Sequence, residues 1–370
     1  MLKKALSSII LVYLVGSGIT CTQAAETVFP SQSSDKPVSE LSVPAENGDA
    51  RAQLALAIAY YYGKGVPQND GKAVFWAKKA AEKGSADAQY ALGTLYYHGK
   101  GVTQNRHQSE YWYRKAAMQK HSAAQYALGT MYSYGDGVTQ DYQRAARLFL
   151  QAAEQGNADA QHALGIMYDW GKGVTQNYQK AIYWYEQAAK QGHTGAQYNL
   201  GMMYARGEGV VPDTRKAVEL FRTAAEHGLA EAQYSLGDMY FNGNGVTQSK
   251  KDAADWYRKA AAQGNALAQN ALGIMYMRGD GMARDDRHAF DLFRQAASKR
   301  IPEAIANLGL MYAKGQGTAK NYPYAYTLAH HAALNIRSAA RLENELAKIM
   351  TPEDRARAAS MTIDEILNKP

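Results

Sequence analysis

Apolar and polar positions follow a helical period over most of the chain, and the same pattern returns every 36 residues. Leucine recurs at this step from Leu56 to Leu308, and tyrosine recurs from Tyr60 to Tyr312 without a break. A fixed step without insertions is typical of stacked repeats, because each unit must meet its neighbours in the same way. The pattern therefore predicts eight tandem repeats over residues 47–334.

Each repeat contains two helical segments. In the second repeat, Ala88, Leu92 and Leu95 lie on one face of a helix A that we predict from about Ala86 to Tyr97. A Gly-x-Gly-Val sequence follows and ends this helix, because glycine adopts positive φ at little steric cost. Helix B then begins at a residue whose side chain can accept from the free N–H groups of the first turn. These predicted capping residues are Asn69, Asn105, Asp141, Asn177, Asp213, Ser249, Asp285 and Asn321.

A glycine inside helix A recurs in seven repeats, at positions 93, 129, 165, 201, 237, 273 and 309, whereas the first repeat has Ala57. Glycine costs about 1 kcal/mol relative to alanine in a helix interior. Because this cost recurs, we predict that another helix passes too close for a Cβ atom there.

The two ends depart from the repeat pattern. Residues 26–46 are rich in Ser, Pro and Glu, which predicts a flexible leader. Residues 335–370 predict a C-terminal helical cap. Its first helix is expected from Ser338 to Met350, and its second begins at Thr351-Pro352 and continues to about Leu367. Such end helices cover the apolar face of a terminal repeat.

The repeating unit resembles the Sel1-like repeat, a relative of the tetratricopeptide repeat. The similarity is clear from Ala88-Gln89-Tyr90 to Ala117 and extends over residues 47–334. It implies an all-α, right-handed superhelical solenoid of eight antiparallel helix pairs of 36 residues, with helix A on the concave side. Members of this family are mostly adaptors and scaffolds. Exported bacterial members include host-interaction proteins, one of which binds secretory immunoglobulin A.

The N-terminus predicts a signal peptide over residues 1–25. Lys3 and Lys4 precede a short apolar stretch, and small residues allow cleavage after Ala24 or Ala25. We therefore expect a periplasmic or secreted protein. A lipoprotein acylated at Cys21 is the less favoured alternative, because a lipobox has a small residue just before the cysteine. No later segment contains 18 uninterrupted apolar residues, so we expect no transmembrane segment in the mature chain.

The amino-acid composition further limits the functions that the chain could have. The formal net charge is +7. The sequence contains no run of five like charges, so it has no signature of a nucleic-acid-binding tail. The single cysteine leaves the chain without disulfides, so packing alone must stabilise it. A cysteine-rich branch of the similar family is linked to β-lactam binding and has a disulfide in every repeat. We do not transfer that activity to this chain.

Positions that vary between repeats are candidates for a binding surface, since core positions repeat. On helix A they are the positions of Tyr90, Thr94, Tyr97 and His98, opposite the repeating core stripe. The column of Tyr90 is either inter-repeat packing or binding surface, and both readings stay open. Aromatic and Arg side chains are enriched in interface cores, and Trp170 is the best single anchor. The predicted partner-binding residues are Tyr97, His98, Tyr126, Tyr134, His162, Asp169, Trp170, Arg206, Phe241 and Arg278.

Motifs for catalysis are missing from the sequence. Gly-x-Gly follows a helix and lacks the Lys-Ser/Thr ending of a phosphate-binding loop, and no His-Glu-x-x-His or Gly-x-Ser-x-Gly occurs. Asp169 and Asp238 break the repeat pattern but sit two repeats apart. We therefore predict no catalytic residue, no metal and no cofactor.

The function that we expect is a non-catalytic scaffold of the bacterial cell envelope. It would bind another protein or peptide on the helix-A face. The alternative is a secreted host-interaction factor, for example one that binds immunoglobulin. An enzyme acting on cell-wall glycan or β-lactams is the least favoured reading.

Overall fold

The computed structural model describes Val28, Phe29 and residues 37–368. These residues contain twenty helices and no strand, which confirms the predicted all-α fold of paired helices. The predicted signal peptide and part of the predicted leader lie outside the described residues. The chain forms two compact units, Met1–His193 and Thr194–Pro370, and their boundary falls between the fourth and fifth repeats.

The first unit contains α1 (Val38–Glu46) and four helix pairs. The pairs are α2 (Ala50–Tyr62) and α3 (Asp70–Glu82), α4 (Ala86–His98) and α5 (Arg106–Met118), α6 (Ser122–Tyr134) and α7 (Tyr142–Glu154), and α8 (Ala158–Trp170) and α9 (Tyr178–Lys190). Helices A and B of each repeat pack together, and each helix B also packs against the helix A that follows it within the unit.

The second unit repeats this arrangement and ends in three further helices. Its pairs are α10 (Thr194–Arg206) and α11 (Thr214–Glu226), α12 (Ala230–Asn242) and α13 (Lys250–Ala262), α14 (Ala266–Arg278) and α15 (Asp286–Ser298), and α16 (Pro302–Lys314) and α17 (Tyr322–Ala333). The C-terminal helices α18 (Arg337–Ile349), α19 (Pro352–Ala359) and α20 (Ile363–Leu367) all contact α17. No helix in the described part of the chain has the length and apolar character needed to cross a membrane.

The helix boundaries follow the predicted signals. All eight predicted capping residues of helix B accept a hydrogen bond from the backbone N–H three residues later, as Asn105 does from Gln108 at 3.0 Å. At the other boundary, the glycine after helix A is left-handed in every repeat, with φ of 69° at Gly99 for example. The chain therefore turns at the same residue of each repeat.

The predicted close approach at the helix-A glycine is also confirmed. A Cβ atom on Gly93 would lie 2.6 Å from the ring of Tyr113, and one on Gly165 would lie 2.6 Å from the ring of Tyr185. In the first repeat, Ala57 instead shares its cluster with a second alanine, Ala77, and both are fully buried. A Cβ is therefore accommodated where helix B carries no aromatic ring.

The structure corrects the predicted flexible leader for residues 38–46, which form α1. Leu41 and Ala45 lie four residues apart and are buried with Ala52 and Leu56 of the first repeat. The amide of Gln53 also donates to the carbonyl of Ala45 at 2.9 Å. Docking on α2 thus stabilises a segment whose Ser- and Pro-rich composition indicated disorder.

The second predicted cap helix is corrected too, because it is divided into α19 and α20. Thr362 and Glu365 form a reciprocal capping box that starts α20. Ile366 and Leu367 of α20 then reach the apolar cluster of the seventh and eighth repeats.

Candidate functional site

The rings of the Tyr90 column contact helix B of their own repeat, which supports the packing reading of this column. The ring of Tyr90 is 8% exposed and lies 5.7 Å from the ring of Tyr113 on helix B and 4.9 Å from that of His121, measured between centroids. The same contact with helix B recurs between Tyr126 and Phe149 at 5.7 Å. Tyr126 is half-buried and packs on helix B, and its partner-binding role stays a prediction.

His162 occupies this column in the fourth repeat and is only 7% exposed. Its ring centroid lies 4.3 Å from that of His193 and 5.9 Å from that of Tyr185. Burial, and secondarily the nearby His193, lowers the pKa of His162 well below its ordinary value. A ring this deeply buried offers a partner little surface, which argues against the predicted partner-binding role of His162.

The next column is only half-buried, and its side chains hold neighbouring groups of the fold. The Tyr97 hydroxyl donates to Asp136 of the following repeat at 2.6 Å, and the Arg106 guanidinium lies 3.6 Å from the Tyr97 ring centroid. The hydroxyl of Tyr185 donates to Asp169 at 3.4 Å. The side chains of Tyr97 and Asp169 therefore already make hydrogen bonds within the fold.

Phe241, at the position equivalent to Tyr97 in the sixth repeat, is also half-buried. Its ring packs against the cluster around Tyr257, and the Lys250 ammonium lies 6.0 Å from its centroid.

The last residue of helix A is the most accessible of the predicted positions. Tyr134 is 49% exposed and Trp170 is 41% exposed, although both are large aromatic residues. The left-handed glycine that follows each of them ends the helix, so no further helical turn covers the side chain. In the second repeat, His98 is half-buried, and its pKa is lowered by burial and by Lys100 and Arg106.

In the second unit the same position carries cations instead of rings. Arg206 and Arg278 are both exposed, and Arg206 lies 3.7 Å from a carboxylate oxygen of Glu208. An exposed ion pair of this kind contributes about 0–1 kcal/mol, so it does not keep the Arg206 guanidinium from contacting a partner.

Asp238 is the polar residue whose role the sequence did not predict. Its carboxylate accepts from the hydroxyl of Tyr257 at 2.5 Å, and burial raises the pKa of Asp238 above its ordinary value. A pattern in helix B points to this contact, because tyrosine and phenylalanine alternate at one position. They are Tyr113, Phe149, Tyr185, Phe221, Tyr257 and Phe293. A buried tyrosine needs a polar partner that phenylalanine does not need.

Comparison with known proteins agrees with this repeat architecture. The Sel1 repeat pattern matches residues 50–85, 86–121, 122–157, 158–193, 194–229, 230–265, 266–300 and 302–335. The chain belongs to the Sel1 repeat family.

A solved structure shows the same fold. A Sel1 repeat protein from Oxalobacter formigenes is 31% identical with a TM-score of 0.63, and the match covers 86% of this chain and 96% of that one. A protective antigen of uropathogenic Escherichia coli with an SLR fold is 28% identical with a TM-score of 0.41, over 90% of this chain and 94% of that one. No curated protein sequence matches the chain.

Membership in the family gives a general function. Sel1 repeats form scaffolds that bind proteins, and the solenoid is typically non-catalytic. In this Sel1 repeat protein, the exposed helix-A ends of Tyr134 and Trp170 are the accessible aromatic positions among the predicted site residues. No three His, Cys, Asp or Glu side chains come together as a metal-binding group within the described residues.

Proposed function

We propose that this Sel1 repeat protein is a non-catalytic scaffold of the bacterial cell envelope that binds a partner protein or peptide. The binding surface would be the helix-A ends of the first unit, with Tyr134 and Trp170 as anchors. The observation that carries the proposal is the exposure of these two rings, 49% and 41%, at the same position of consecutive repeats. Tyr and Trp are among the residues that dominate binding energy in protein interfaces.

The contrast with the Tyr90 column supports this choice of residues. Aromatic rings on that column lie against helix B and contribute to the stability of the repeat. Tyr134 and Trp170 leave part of their ring surface in water, and burying apolar surface on binding is favourable by about 25 cal/mol per Å². A partner would therefore gain more from these two positions than from the rings of the Tyr90 column.

An envelope location is part of the proposal and rests on the signal peptide that the sequence predicts. Periplasmic and secreted locations are both consistent with it. A secreted protein could meet a host protein with the same surface, so the host-directed alternative differs in the source of the partner rather than in the residues that bind it.

The test is an affinity capture with the full chain as bait, against envelope extract and against host secretions. Three baits are compared: wild type, Tyr134→Ala/Trp170→Ala, and Tyr183→Ala, which removes a 53% exposed ring from helix B of the fourth repeat. We expect one partner with wild type and Tyr183→Ala, and its loss with the double variant. Equal capture by all three folded baits would contradict the proposed surface.

A further inference from the structure

Three buried tyrosines of helix B place their hydroxyls on helix A of the same repeat. Tyr113 donates to Thr94 at 3.0 Å, Tyr185 to Asp169 at 3.4 Å, and Tyr257 to Asp238 at 2.5 Å. A buried hydroxyl without a partner is unfavourable, so each repeat that has the tyrosine must provide an acceptor.

The second repeat shows that a neutral acceptor is sufficient. Thr94 is 3% exposed, accepts from Tyr113 and donates its own hydroxyl to the carbonyl of Tyr90 at 3.1 Å. Asp238 occupies the position of Thr94 in the sixth repeat, yet it is only half-buried. The packing of Tyr257 therefore does not require a negative charge at Asp238.

The carboxylate of Asp238 accepts hydrogen bonds from two tyrosine hydroxyls. Tyr234, one turn earlier on the same helix, also hydrogen-bonds to the carboxylate, and its ring centroid lies 5.8 Å from that of Tyr257. In the described part of the chain, no Lys, Arg or His forms an ion pair with Asp238. The other titratable groups that act on this cluster, through Tyr234, are Tyr198 and Glu303.

We propose that Asp238, held in place by the hydroxyls of Tyr234 and Tyr257, is a binding site for a cationic side chain, the alkylammonium of lysine or the guanidinium of arginine. The half-buried carboxylate would supply a charge-assisted hydrogen bond, and the half-buried ring of Tyr234 would supply cation–π attraction. Asp238 lies on the variable face of helix A that also carries Phe241. The inference rests on the proposed function in one respect, namely that the cation would belong to the bound partner.

The protonation state of Asp238 should control the affinity of this site for a cation. Burial raises the pKa of Asp238, while the hydrogen bonds from Tyr257 and Tyr234 act in the opposite direction. The pKa values of both tyrosines are raised, so their hydroxyls stay protonated and continue to donate. A bound cation stabilises the ionised carboxylate. Binding therefore lowers the pKa of Asp238, and affinity falls when the pH falls below the pKa of the free site.

The experiment uses small probes in place of the partner. The full chain is titrated with n-butylammonium or n-propylguanidinium chloride at constant ionic strength, and 1-butanol serves as the uncharged control. Amide NMR signals of α12 and α13 report binding. We expect saturable shifts with one or both cations and none with 1-butanol. The cation that saturates at lower concentration identifies the preferred side chain.

Substitutions separate charge from structure. Asp238→Asn keeps an acceptor for Tyr257 and should weaken cation binding about tenfold or more, as expected when a partly buried charge pair is lost. Asp255→Asn is the matched control, because Asp255 is an exposed aspartate on helix B of the same repeat and pairs with Arg258. If Asp238→Asn does not fold, Asp238→Thr reproduces the neutral arrangement of the second repeat.

Non-saturable shifts in wild type, or equal affinity of wild type and the folded uncharged variant, would overturn the inference. Because the probes need no macromolecule, failure to capture a partner would count against the proposed function without affecting this result. Conversely, capture of a partner without binding of either cation would support the scaffold proposal and contradict the Asp238 site.

Discussion

The two units present different chemistry at the same position of helix A. The first unit ends two of its A helices with Tyr134 and Trp170, and the second unit ends two with Arg206 and Arg278. The left-handed glycine that follows leaves all four of these residues exposed, whether ring or cation. The fold therefore fixes the accessibility of the position and leaves its chemistry free, so one scaffold can offer an aromatic surface in one unit and a cationic surface in the other.

The largest expected effect comes from breaking the geometry on which this comparison depends. Gly165→Leu places a Cβ atom 2.6 Å from the Tyr185 ring, so the two helices of the fourth repeat must separate. We expect a loss of about 1–3 kcal/mol of stability or more, measured by thermal and urea unfolding.

Gly71→Ala is the control for this substitution. A Cβ atom at Gly71 would meet only the side-chain oxygen of Asn69 at 3.4 Å, so stability should be unchanged or higher. A Gly165→Leu protein as stable as wild type would show that the close approach does not constrain the repeat.

A smaller effect is expected from the cap of helix B. Asn105→Ala removes the acceptor of the Gln108 N–H and should cost about 1 kcal/mol. Asn105→Ser should retain most of that stability, because Ser249 caps α13 at the same repeat position. Equal melting temperatures for Asn105→Ala and Asn105→Ser would contradict a capping role.

The caps and the close glycine could be predicted from the sequence because both depend on residues within one helix pair. The burial of His162 could not, because it depends on His193, which lies outside the helix pair, in the turn after α9. The contact between Tyr257 and Asp238 joins two helices, and a pattern-breaking aspartate alone does not reveal its partner. The helix of residues 38–46 was missed because packing against α2 outweighs its composition.

The accessible surface was predicted only in part, because the exposure of a side chain depends on contacts between helices. Residue type and periodicity placed Tyr126 and Trp170 on one variable face, but they do not show which ring is covered by a neighbouring helix. The structure distinguishes them, since Tyr126 meets Phe149 and Trp170 remains 41% exposed.

A further effect should appear as a pH trend in the second unit. The pKa of Asp238 is raised in the fold, so the folded state holds this proton more tightly than the unfolded state does. As the pH rises from about 4 through the raised pKa, wild type should therefore lose stability relative to Asp238→Asn, and the difference should become constant above it. Melting temperatures of both proteins between about pH 4 and 8 check this sign. Parallel curves would contradict it.

The smallest effect on stability is expected at the exposed position itself. Trp170→Ala should change the free energy of unfolding by less than about 0.5 kcal/mol, as surface substitutions usually do. Leu164→Ala, on the same helix but only 1% exposed, should cost about 2–5 kcal/mol. A large loss for Trp170→Ala would mean that the ring belongs to the core and would remove it as an anchor.

The most direct test of the binding account is the affinity of a captured partner for wild type, Trp170→Ala and Trp170→Arg, measured by calorimetry with all three proteins shown to be folded. Trp170→Arg gives the first unit the chemistry of Arg206 in the second. We predict that both variants bind at least about tenfold more weakly than wild type, as expected for loss of an aromatic anchor. Affinities equal to that of wild type would contradict the claim that the exposed aromatic helix-A ends hold the partner.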